Sequence, residues 1–386
     1  MARKKGKAQR RQKDFGTGWG RGYEQSADEI DQLGIQRQKV TPKAAKVASW
    51  RVDSSQDSLP DLPRQEGMVV GLFPAGAIVR SAGREMICGL AGTFRPPEGS
   101  SALAVGDQVI VALTRAEHAD AAQADKLRAD GKIVQRQFRR SLLARPQPRS
   151  GKRRDIYEGE NFLKVIAANM DQLLIVASTR QPALRPALID RFVIIAERGD
   201  LQPLLVINKI DLAEVDGNVL ADLKAVGMAP ILVSAGTGQG LDLLREKLLG
   251  KRSIYAGASG VGKSSLINAL IPEAGASTRP IRMKDERGRH TTASASVYFL
   301  EGPSQDQTSL LVDTPGVREL GMQMDVAELP WYFPEFEAFA AGCKFNDCTH
   351  THEPQCAVVA AVEEGRIPPQ RFASYLRLME TLEDQR

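Results

Sequence analysis

The sequence predicts a multidomain protein with three fold classes: a small β-barrel, an α/β domain with a largely parallel sheet, and a mostly helical C-terminal domain. Short β-like runs separated by Gly, Pro and Ser turns indicate the barrel. Apolar runs that alternate with helical stretches indicate the α/β domain, and a Cys/His cluster interrupts the helical pattern that follows it. A chain of 386 residues, 42% of them hydrophobic, is long enough to bury more than one core.

Residues 1–65 are predicted to form a basic, mostly disordered extension. The first thirteen residues include seven Lys or Arg, and the segment ends in a stretch rich in Ser, Asp and Pro without a period of 2 or 3.6. No apolar block follows the basic start, and no run approaches the ~20 apolar residues of a membrane span. The sequence therefore predicts a cytoplasmic protein that does not enter a membrane.

Residues 66–140 are predicted to form an OB-fold. Five short strand-like runs, "GMVVGLF", "AIVR", "EMICGL", "DQVIVAL" and "KIVQRQF", fit this small barrel, with a helical insert around "EHADAAQADKLRAD". Cys88 lies in the third run, where we expect an inert core thiol.

Residues 141–165 are predicted to form a basic linker. They overlap an acid-free run from Arg136 to Arg154, which together with the basic N-terminus suggests a polyanionic partner. Either run taken alone is equally well explained as a solvated segment. If the barrel and the linker hold RNA mainly through its phosphates, the candidate contacts are Arg139, Arg140, Arg153 and Arg154.

Residues 166–322 are predicted to form a nucleotide-binding domain. The stretch "GASGVGKS", from Gly257 to Ser264, matches the phosphate-binding loop G-x-x-x-x-G-K-[ST] and stands between the strand "RSIYA" and the helix "SSLINAL". Backbone N–H groups and the helix N-terminus would bind the phosphates. Lys263 would reach the β- and γ-phosphates, and Ser264 would ligate Mg²⁺.

A second motif, "NKID", predicts the base. Asp211 can accept hydrogen bonds from the N1–H and the exocyclic amine of guanine, which adenine does not offer in that pattern. Ser234 and Ala235 fit the loop that closes over guanine, while "DTPG" supplies Asp313 for Mg²⁺ and the Gly316 amide for the γ-phosphate. The predicted GTP-binding residues are Asn208, Lys209, Ile210, Asp211, Ser234, Ala235, Gly257, Ala258, Ser259, Gly260, Val261, Gly262, Lys263, Ser264, Ser265, Asp313 and Gly316.

The order of these motifs is circularly permuted. The two base motifs precede the phosphate-binding loop, and "GLDLLREKLLGKR" joins the two parts of the domain. Because the ends of a compact domain often lie close together, old ends can be joined and new ends opened without altering the core. We therefore predict a circularly permuted P-loop GTPase domain whose switch II leads into the C-terminal domain.

Residues 323–386 are predicted to form a mostly helical zinc-binding domain. Cys343, Cys348, His350 and Cys356 are four ligands suited to one tetrahedral Zn²⁺, and a site closed by four protein ligands is structural. Spacing alone leaves His352 as an alternative to His350.

The motifs resemble those of the small-ribosomal-subunit biogenesis GTPases, the RsgA or YjeQ family, from about Gly67 to the C-terminus. The shared stretches are "IAANMDQ", "NKID", "GASGVGKSSL", "GRHTT", "DTPGVRE" and "CKFNDCTHTHEPQC". The resemblance implies an OB-fold, a permuted GTPase domain and a zinc domain in which His350 is the ligand, acting late in 30S subunit maturation. Residues 1–65 exceed the usual family pattern.

The catalytic group is less evident from the residues. Val317 stands just after Gly316, where a Ras-like enzyme carries a water-orienting Gln, and an apolar side chain cannot orient water. The residues alone leave open whether the isolated protein simply hydrolyses slowly. The resemblance points to His290 in switch I as the hydrolysis residue, and either Thr291 or Thr292 would complete the Mg²⁺ shell with Ser264 and Asp313.

The leading functional hypothesis is a monomeric GTPase that binds the 30S subunit and its rRNA and is released by ribosome-stimulated hydrolysis. The alternative is a constitutive rRNA-binding assembly module in which GTP or GDP is mainly structural. A metabolic P-loop kinase is disfavoured by "NKID".

Overall fold

The structure is a computed structural model that describes residues 62–73, 76–92, 94, 101–114, 130–146, 163–271, 295–302, 309–314, 320, 322 and 324–384. All of these belong to one compact unit of the chain. Residues 1–61 of the predicted extension, most of the predicted helical insert, and Arg153 and Arg154 of the predicted linker lie outside the described residues.

The N-terminal part of the structure is a closed five-stranded barrel, as predicted. Its strands pair in the order β1-β2-β3-β5-β4, and β4 closes onto β1. β3 and β5 run parallel and the other pairs are antiparallel, a strand order that matches an OB-fold. The strands are β1 (Arg64–Phe73), β2 (Gly76–Ser81), β3 (Arg84–Leu90), β4 (Gln108–Leu113) and β5 (Gly131–Arg136).

Alternating apolar side chains fill the barrel. Val69, Val79, Val111 and Ile133 are fully buried, as the period-2 pattern of a small barrel requires. Cys88 is also buried in this core, and its burial raises the pKa of the thiol to about 12. A thiol held in its neutral form is a poor nucleophile, as expected for an inert core residue.

Two short strands connect the barrel to the α/β domain. β6 (Leu142–Pro146) and β7 (Leu163–Ala168) form an antiparallel ladder at the two ends of the predicted linker. The Asn169 side chain donates to the Gly106 carbonyl at 3.0 Å and accepts from the Arg140 N–H at 2.9 Å. Gly106 has φ +90°, and a Cβ there would meet the Ala168 carbonyl oxygen at 2.0 Å, so only Gly permits this close approach.

The predicted RNA contact by Arg139 is wrong, because this side chain is buried in the protein. Its guanidinium forms a two-pronged ion pair with Asp107 at 2.7 and 2.8 Å, and both side chains are almost fully buried. Arg140 is more exposed and bonds the Asp171 carboxylate. The sequence of an acid-free stretch does not show which acidic residues from other parts of the chain pack against it. The ion pairs of Arg139 and Arg140 could therefore not be predicted.

The α/β domain contains a six-stranded sheet in the order β10-β9-β8-β11-β13-β12. Neighbouring strands are parallel except for β13 and the edge strand β12. The strands are β8 (Gln172–Ser178), β9 (Gln202–Asn208), β10 (Ile231–Leu232), β11 (Arg252–Ala256), β12 (Ser296–Leu300) and β13 (Ser309–Asp313). The connecting helices are α1 (Pro186–Arg198), α2 (Gly217–Ala225), α3 (Leu241–Leu248) and α4 (Lys263–Leu270).

The sheet explains how the permuted order still builds one domain. The strand that precedes the phosphate-binding loop, β11, lies in the middle of the sheet and pairs with β8 from the first half of the domain and β13 from the second. α3 packs Leu244 and Leu248 into the core and then leads through a short turn to β11, which makes it the join between the two halves.

The C-terminal part is mostly helical, as predicted. A 3₁₀ helix (Val326–Tyr332) is followed by α5 (Pro334–Ala340), α6 (Ala357–Glu363) and α7 (Pro369–Glu383). Phe333, Phe336 and Tyr375 form its core, with ring centroids 5.0 to 5.3 Å apart. Within the described parts of the chain, every helix is too short or too polar to cross a membrane.

Helix α1 carries charged side chains that bind the C-terminal part. Arg371 of α7 forms ion pairs with Asp190 of α1 and, at 2.6 Å, with Glu335 of α5. Asp190 and Arg371 are only 4% and 7% exposed. Burial raises the pKa of Asp190, and the positive charge of Arg371 opposes this rise. The ion pairs therefore depend on one another, because either charge alone would be strongly disfavoured at this depth.

The buried ion pairs predict a large loss of stability in Arg371→Leu. This change would leave Asp190 and Glu335 without their cation, which costs about 3–5 kcal/mol in comparable buried pairs. Chemical unfolding, monitored by a signal from the C-terminal part, should have its midpoint at a lower denaturant concentration than in the parent protein. Arg377→Leu makes the same change at an exposed position of α7 and should leave that midpoint almost unchanged. Equal midpoints for the two variants would contradict the prediction.

Candidate nucleotide-binding site and metal centre

The predicted nucleotide motifs meet at one edge of the sheet. β9 ends at Asn208, β11 is followed by Gly257, and β13 ends at Asp313. Because these strands are parallel, their carboxyl ends lie at the same edge, which is where ligands bind in open α/β sheets.

The phosphate-binding loop runs from Gly257 to Gly262, between β11 and α4. Gly262 has φ +94°, and a Cβ there would meet Nδ2 of Asn208 at 2.3 Å, so the loop needs Gly at this point. Ser259 and Gly260 are exposed at the tip, while Val261 packs into the core. The loop thus leaves its backbone open on one side and is anchored on the other.

Lys263 begins α4 and folds back over the loop. Its ammonium donates to the carbonyl oxygens of Gly257 at 2.8 Å and Ala258 at 2.7 Å, and the residue is 7% exposed. Ser264 and Ser265 follow on the exposed first turn of the helix. A cation and two hydroxyls therefore stand at a helix N-terminus, an arrangement that favours anionic oxygens.

Asn208 links the phosphate-binding loop to the base motifs. It is 1% exposed, and its amide Nδ2 donates to the carbonyl of Val261 at 3.0 Å. Its Oδ1 accepts from the Ala235 N–H at 3.1 Å. One buried side chain thus fixes the distance between the two loops.

Asp211 and Ser234 form the other side of the site. The Ser234 hydroxyl donates to Oδ1 of Asp211 at 2.5 Å and accepts from the Thr237 N–H at 3.1 Å. The Ile210 N–H donates to the Val233 carbonyl at 3.3 Å, which joins the two loops at the backbone. Asp211 is exposed and oriented by Ser234, so its carboxylate can receive donors from a ligand.

Asp313 lies at the end of β13, next to the phosphate-binding strand. Burial raises the pKa of Tyr255 in β11 above its usual range, and the nearby Asp313 carboxylate raises it further. Ser264 and Asp313 offer the hydroxyl and carboxylate oxygens that Mg²⁺ prefers. The remaining predicted residues of this region, Gly316, His290, Thr291 and Thr292, lie outside the described residues.

The motifs did not predict one further loop that reaches the site. Thr179 and Gln181 follow β8, and their backbone and side-chain atoms contact Lys209 of the base motif. A small pocket lies behind this loop, lined mostly by apolar residues of β8, the loop that follows it, α1 and the phosphate-binding loop. Because "STRQ" matches no nucleotide motif, these contacts are visible only in three dimensions.

The predicted zinc ligands come together in the C-terminal part. The ligand atoms of Cys343, Cys348, His350 and Cys356 all lie within 4.8 Å of one another. Nδ1 of His350 is 3.6 Å from Sγ of Cys343 and 3.4 Å from Sγ of Cys356, and these two sulfurs are 3.9 Å apart. Tetrahedral zinc with usual bond lengths would separate two sulfurs by about 3.8 Å and a sulfur and a nitrogen by about 3.5 Å, so the cluster fits this metal.

The environment of the cluster also favours a metal. Burial lowers the pKa of His350, which keeps its imidazole in the neutral form that binds metals. Burial raises the pKa of Cys348 to about 12, and the neighbouring sulfurs contribute to the rise, so a nearby cation is needed to hold these thiols as thiolates. The alternative ligand, His352, is exposed and its Nδ1 lies 2.8 Å from the hydroxyl oxygen of Thr351. The geometry selects His350.

Comparison with known proteins identifies the family. The family model of the RsgA GTPase matches residues 138–323. A small ribosomal subunit biogenesis GTPase RsgA from Shewanella oneidensis is 35% identical over 86% of this chain and 90% of the relative. A protein of the same name from Chlorobaculum parvum is 39% identical over 76% of this chain and 89% of the relative.

Two solved structures are similar over most of the chain. The crystal structure of YjeQ from Thermotoga maritima matches with a TM-score of 0.59 and 30% identity, over 84% of this chain and all of that one. YloQ, described as a circularly permuted GTPase, matches with a TM-score of 0.58 and 27% identity, over 86% of this chain and 99% of that one. With its barrel, permuted sheet and assembled nucleotide motifs, the chain belongs to the RsgA GTPase family.

Proposed function

We propose that this protein is a GTP hydrolase that binds the small ribosomal subunit and assists its late maturation, with ribosome-stimulated hydrolysis controlling its release. The observation that carries the proposal is Asn208, which joins the base motif to the phosphate-binding loop through its contact with Val261. Relatives named small ribosomal subunit biogenesis GTPase support the ribosomal partner and a cytoplasmic location. The protein acts as a monomer that contacts rRNA.

Guanine is recognised by Asp211 in this proposal. One carboxylate oxygen is held by Ser234, and the carboxylate accepts the N1–H and the exocyclic amine of the base. Adenine would leave this charged acceptor without donors, which is a large penalty. Asn208 and Ala235 hold the loop that covers the other edge of guanine.

The phosphates bind over the loop from Gly257 to Gly262. Lys263 turns its ammonium from the loop carbonyls toward the β- and γ-phosphates, which offer stronger acceptors. Mg²⁺, when bound, neutralises charge that develops on the phosphate oxygens, and Ser264, Asp313 and either Thr291 or Thr292 are the residues that would hold it. The Gly316 amide binds the γ-phosphate.

His290 is proposed as the hydrolysis residue. Val317 cannot orient water, whereas an imidazole can exchange one hydrogen bond with the attacking water when the subunit is bound. Hydrolysis without the subunit is then slow. The alternative of a constitutive rRNA-binding module is not favoured, because such a module has no need of a complete set of GTPase motifs.

The four ligands Cys343, Cys348, His350 and Cys356 are proposed to hold one structural zinc. With all four positions filled by protein atoms, the metal has no open site for chemistry. Its role is to fix the loops that precede α6, next to the aromatic core of the C-terminal part.

The function is tested by measuring GTP turnover with and without purified small ribosomal subunits. We expect strong stimulation in the parent protein. His290→Ala should retain GTP and subunit binding but lose most of the stimulated rate, on the order of a hundredfold, because a transition-state contact is removed. Its slow rate without subunits should change little. An unstimulated parent protein would refute the function, and an unimpaired variant would refute only the role of His290.

Guanine recognition predicts a change of base in Asp211→Asn. Loss of a charged acceptor should weaken GDP binding about 10- to 100-fold and shift preference toward xanthosine diphosphate, since the amide donates where the carboxylate accepted. Equilibrium binding of both nucleotides measures the shift. Asp222→Asn makes the same change on α2, away from the site, and should bind GDP normally. Normal GDP affinity in Asp211→Asn would exclude this base contact.

The zinc proposal predicts about one Zn²⁺ per chain. It also predicts that two of four variants lose the metal and two retain it. Cys348→Ala and His350→Ala should lose the metal and destabilise the C-terminal part, while nucleotide binding persists. Cys88→Ala and His352→Ala remove a thiol and an imidazole outside the cluster and should retain the metal. Elemental analysis and thermal unfolding measure both effects. A parent protein that is free of zinc as isolated, with unchanged unfolding on chelation, would refute the site.

A further inference from the structure

Thr179 makes two hydrogen bonds to the backbone of the guanine motif. It lies one residue beyond the end of β8. Its hydroxyl Oγ1 donates to the carbonyl of Lys209 at 2.6 Å, and its N–H donates to the carbonyl of Asn208 at 3.1 Å. We propose that Thr179 is a positioning residue for guanine binding, which acts by holding the backbone on which Asn208 and Asp211 stand. This inference rests on the proposed function of Asp211.

The backbone of Lys209 requires such support. Its φ of +65° lies in the left-handed region, which is unfavourable for a residue with a Cβ. Its carbonyl also accepts the Leu212 N–H at 3.0 Å and so closes the turn that contains Asp211. The Thr179 hydroxyl therefore bonds the atom on which the geometry of this turn depends.

The side chain of Lys209 also contacts the phosphate-binding loop. Its ammonium donates to the carbonyl of Gly260 at 2.7 Å and to the carbonyl of Gln181. The loop after β8 thus holds Lys209 at both ends, through Thr179 at the backbone and Gln181 at the ammonium. A shift of the Lys209 backbone would therefore disturb mainly the turn that carries Asp211, because the flexible side chain of Lys209 can keep its bond to Gly260.

The substitution Thr179→Val tests the contribution of the hydroxyl alone. Valine has nearly the same shape but no donor, so the Lys209 carbonyl would keep only its bond from Leu212. Loss of one neutral hydrogen bond corresponds to about a two- to tenfold weaker equilibrium. Because guanine is held alike in the ground state and the transition state, KM should rise by this factor while kcat stays unchanged.

The experiment measures affinity for a fluorescent GDP analogue and steady-state GTP hydrolysis in full-length variants. Thr179→Val and Thr179→Ala should raise Kd and KM about two- to tenfold with kcat within twofold of the parent. Thr179→Ser keeps the hydroxyl and should bind like the parent. Thr381→Val removes a comparable hydroxyl, which donates to the Arg377 carbonyl at 2.8 Å on α7, and should not change nucleotide affinity.

A double variant tests whether Thr179 acts through the base contact. In Asp211→Asn, the added change Thr179→Val should weaken GDP binding by less than it does in the parent, because the contact it positions is already lost. Full additivity, normal affinity in both Thr179→Val and Thr179→Ala, or a Thr179→Ser variant as weak as Thr179→Val would overturn the inference. Normal GDP affinity in Asp211→Asn alone would instead refute the proposed base contact, so the two failures are distinguishable.

Discussion

The nucleotide site depends on the buried side chain of Asn208. Its amide bonds the Val261 carbonyl on one side and the Ala235 N–H on the other, so two loops are held at a distance set by one residue. Both partners are backbone groups, which means that the contact constrains the path of each loop and not its side chains. The requirement for glycine at position 262 follows from the same contact, since any Cβ there would collide with the Asn208 amide. A buried amide with both ends satisfied is costly to displace, so this contact holds the two loops together.

Circular permutation leaves this contact intact because the contact is spatial and independent of chain order. Helix α1 packs against the C-terminal part. Asp190 binds Arg371, Arg191 donates to the Leu320 carbonyl, and Arg198 forms an ion pair with Glu328 at 2.6 Å. The opposite side of α1 lines the pocket beside the phosphate-binding loop. One helix therefore lies between the pocket beside the phosphate-binding loop and the helical C-terminal part.

Sequence predicted the parts of the structure that depend on short contiguous patterns. Phosphate and guanine binding need particular residues at fixed spacing, so the motifs, their strands and the permuted order could be predicted. The partners of Arg139, Arg371 and Thr179 could not, because each bond joins residues at least 30 positions apart that carry no shared pattern. Spacing alone did not decide between His350 and His352; the family resemblance favoured His350, and the fold shows that His350 is the one that turns into the cluster.

The barrel contacts the GTPase sheet at the edge strand β12. β12 is an edge strand of the sheet in the part of the chain that the structure describes. The guanidinium of Arg80 in β2 stacks over the ring of Phe299 in β12, 3.8 Å from its centroid, in a cation–π contact. In the sequence, β12 follows directly after the segment predicted as switch I. The barrel thus contacts the strand that follows the predicted switch I segment, and the helical C-terminal part packs on α1, which lines the pocket beside the phosphate-binding loop. Each flanking part therefore contacts the GTPase domain through an element that neighbours one of the predicted nucleotide motifs.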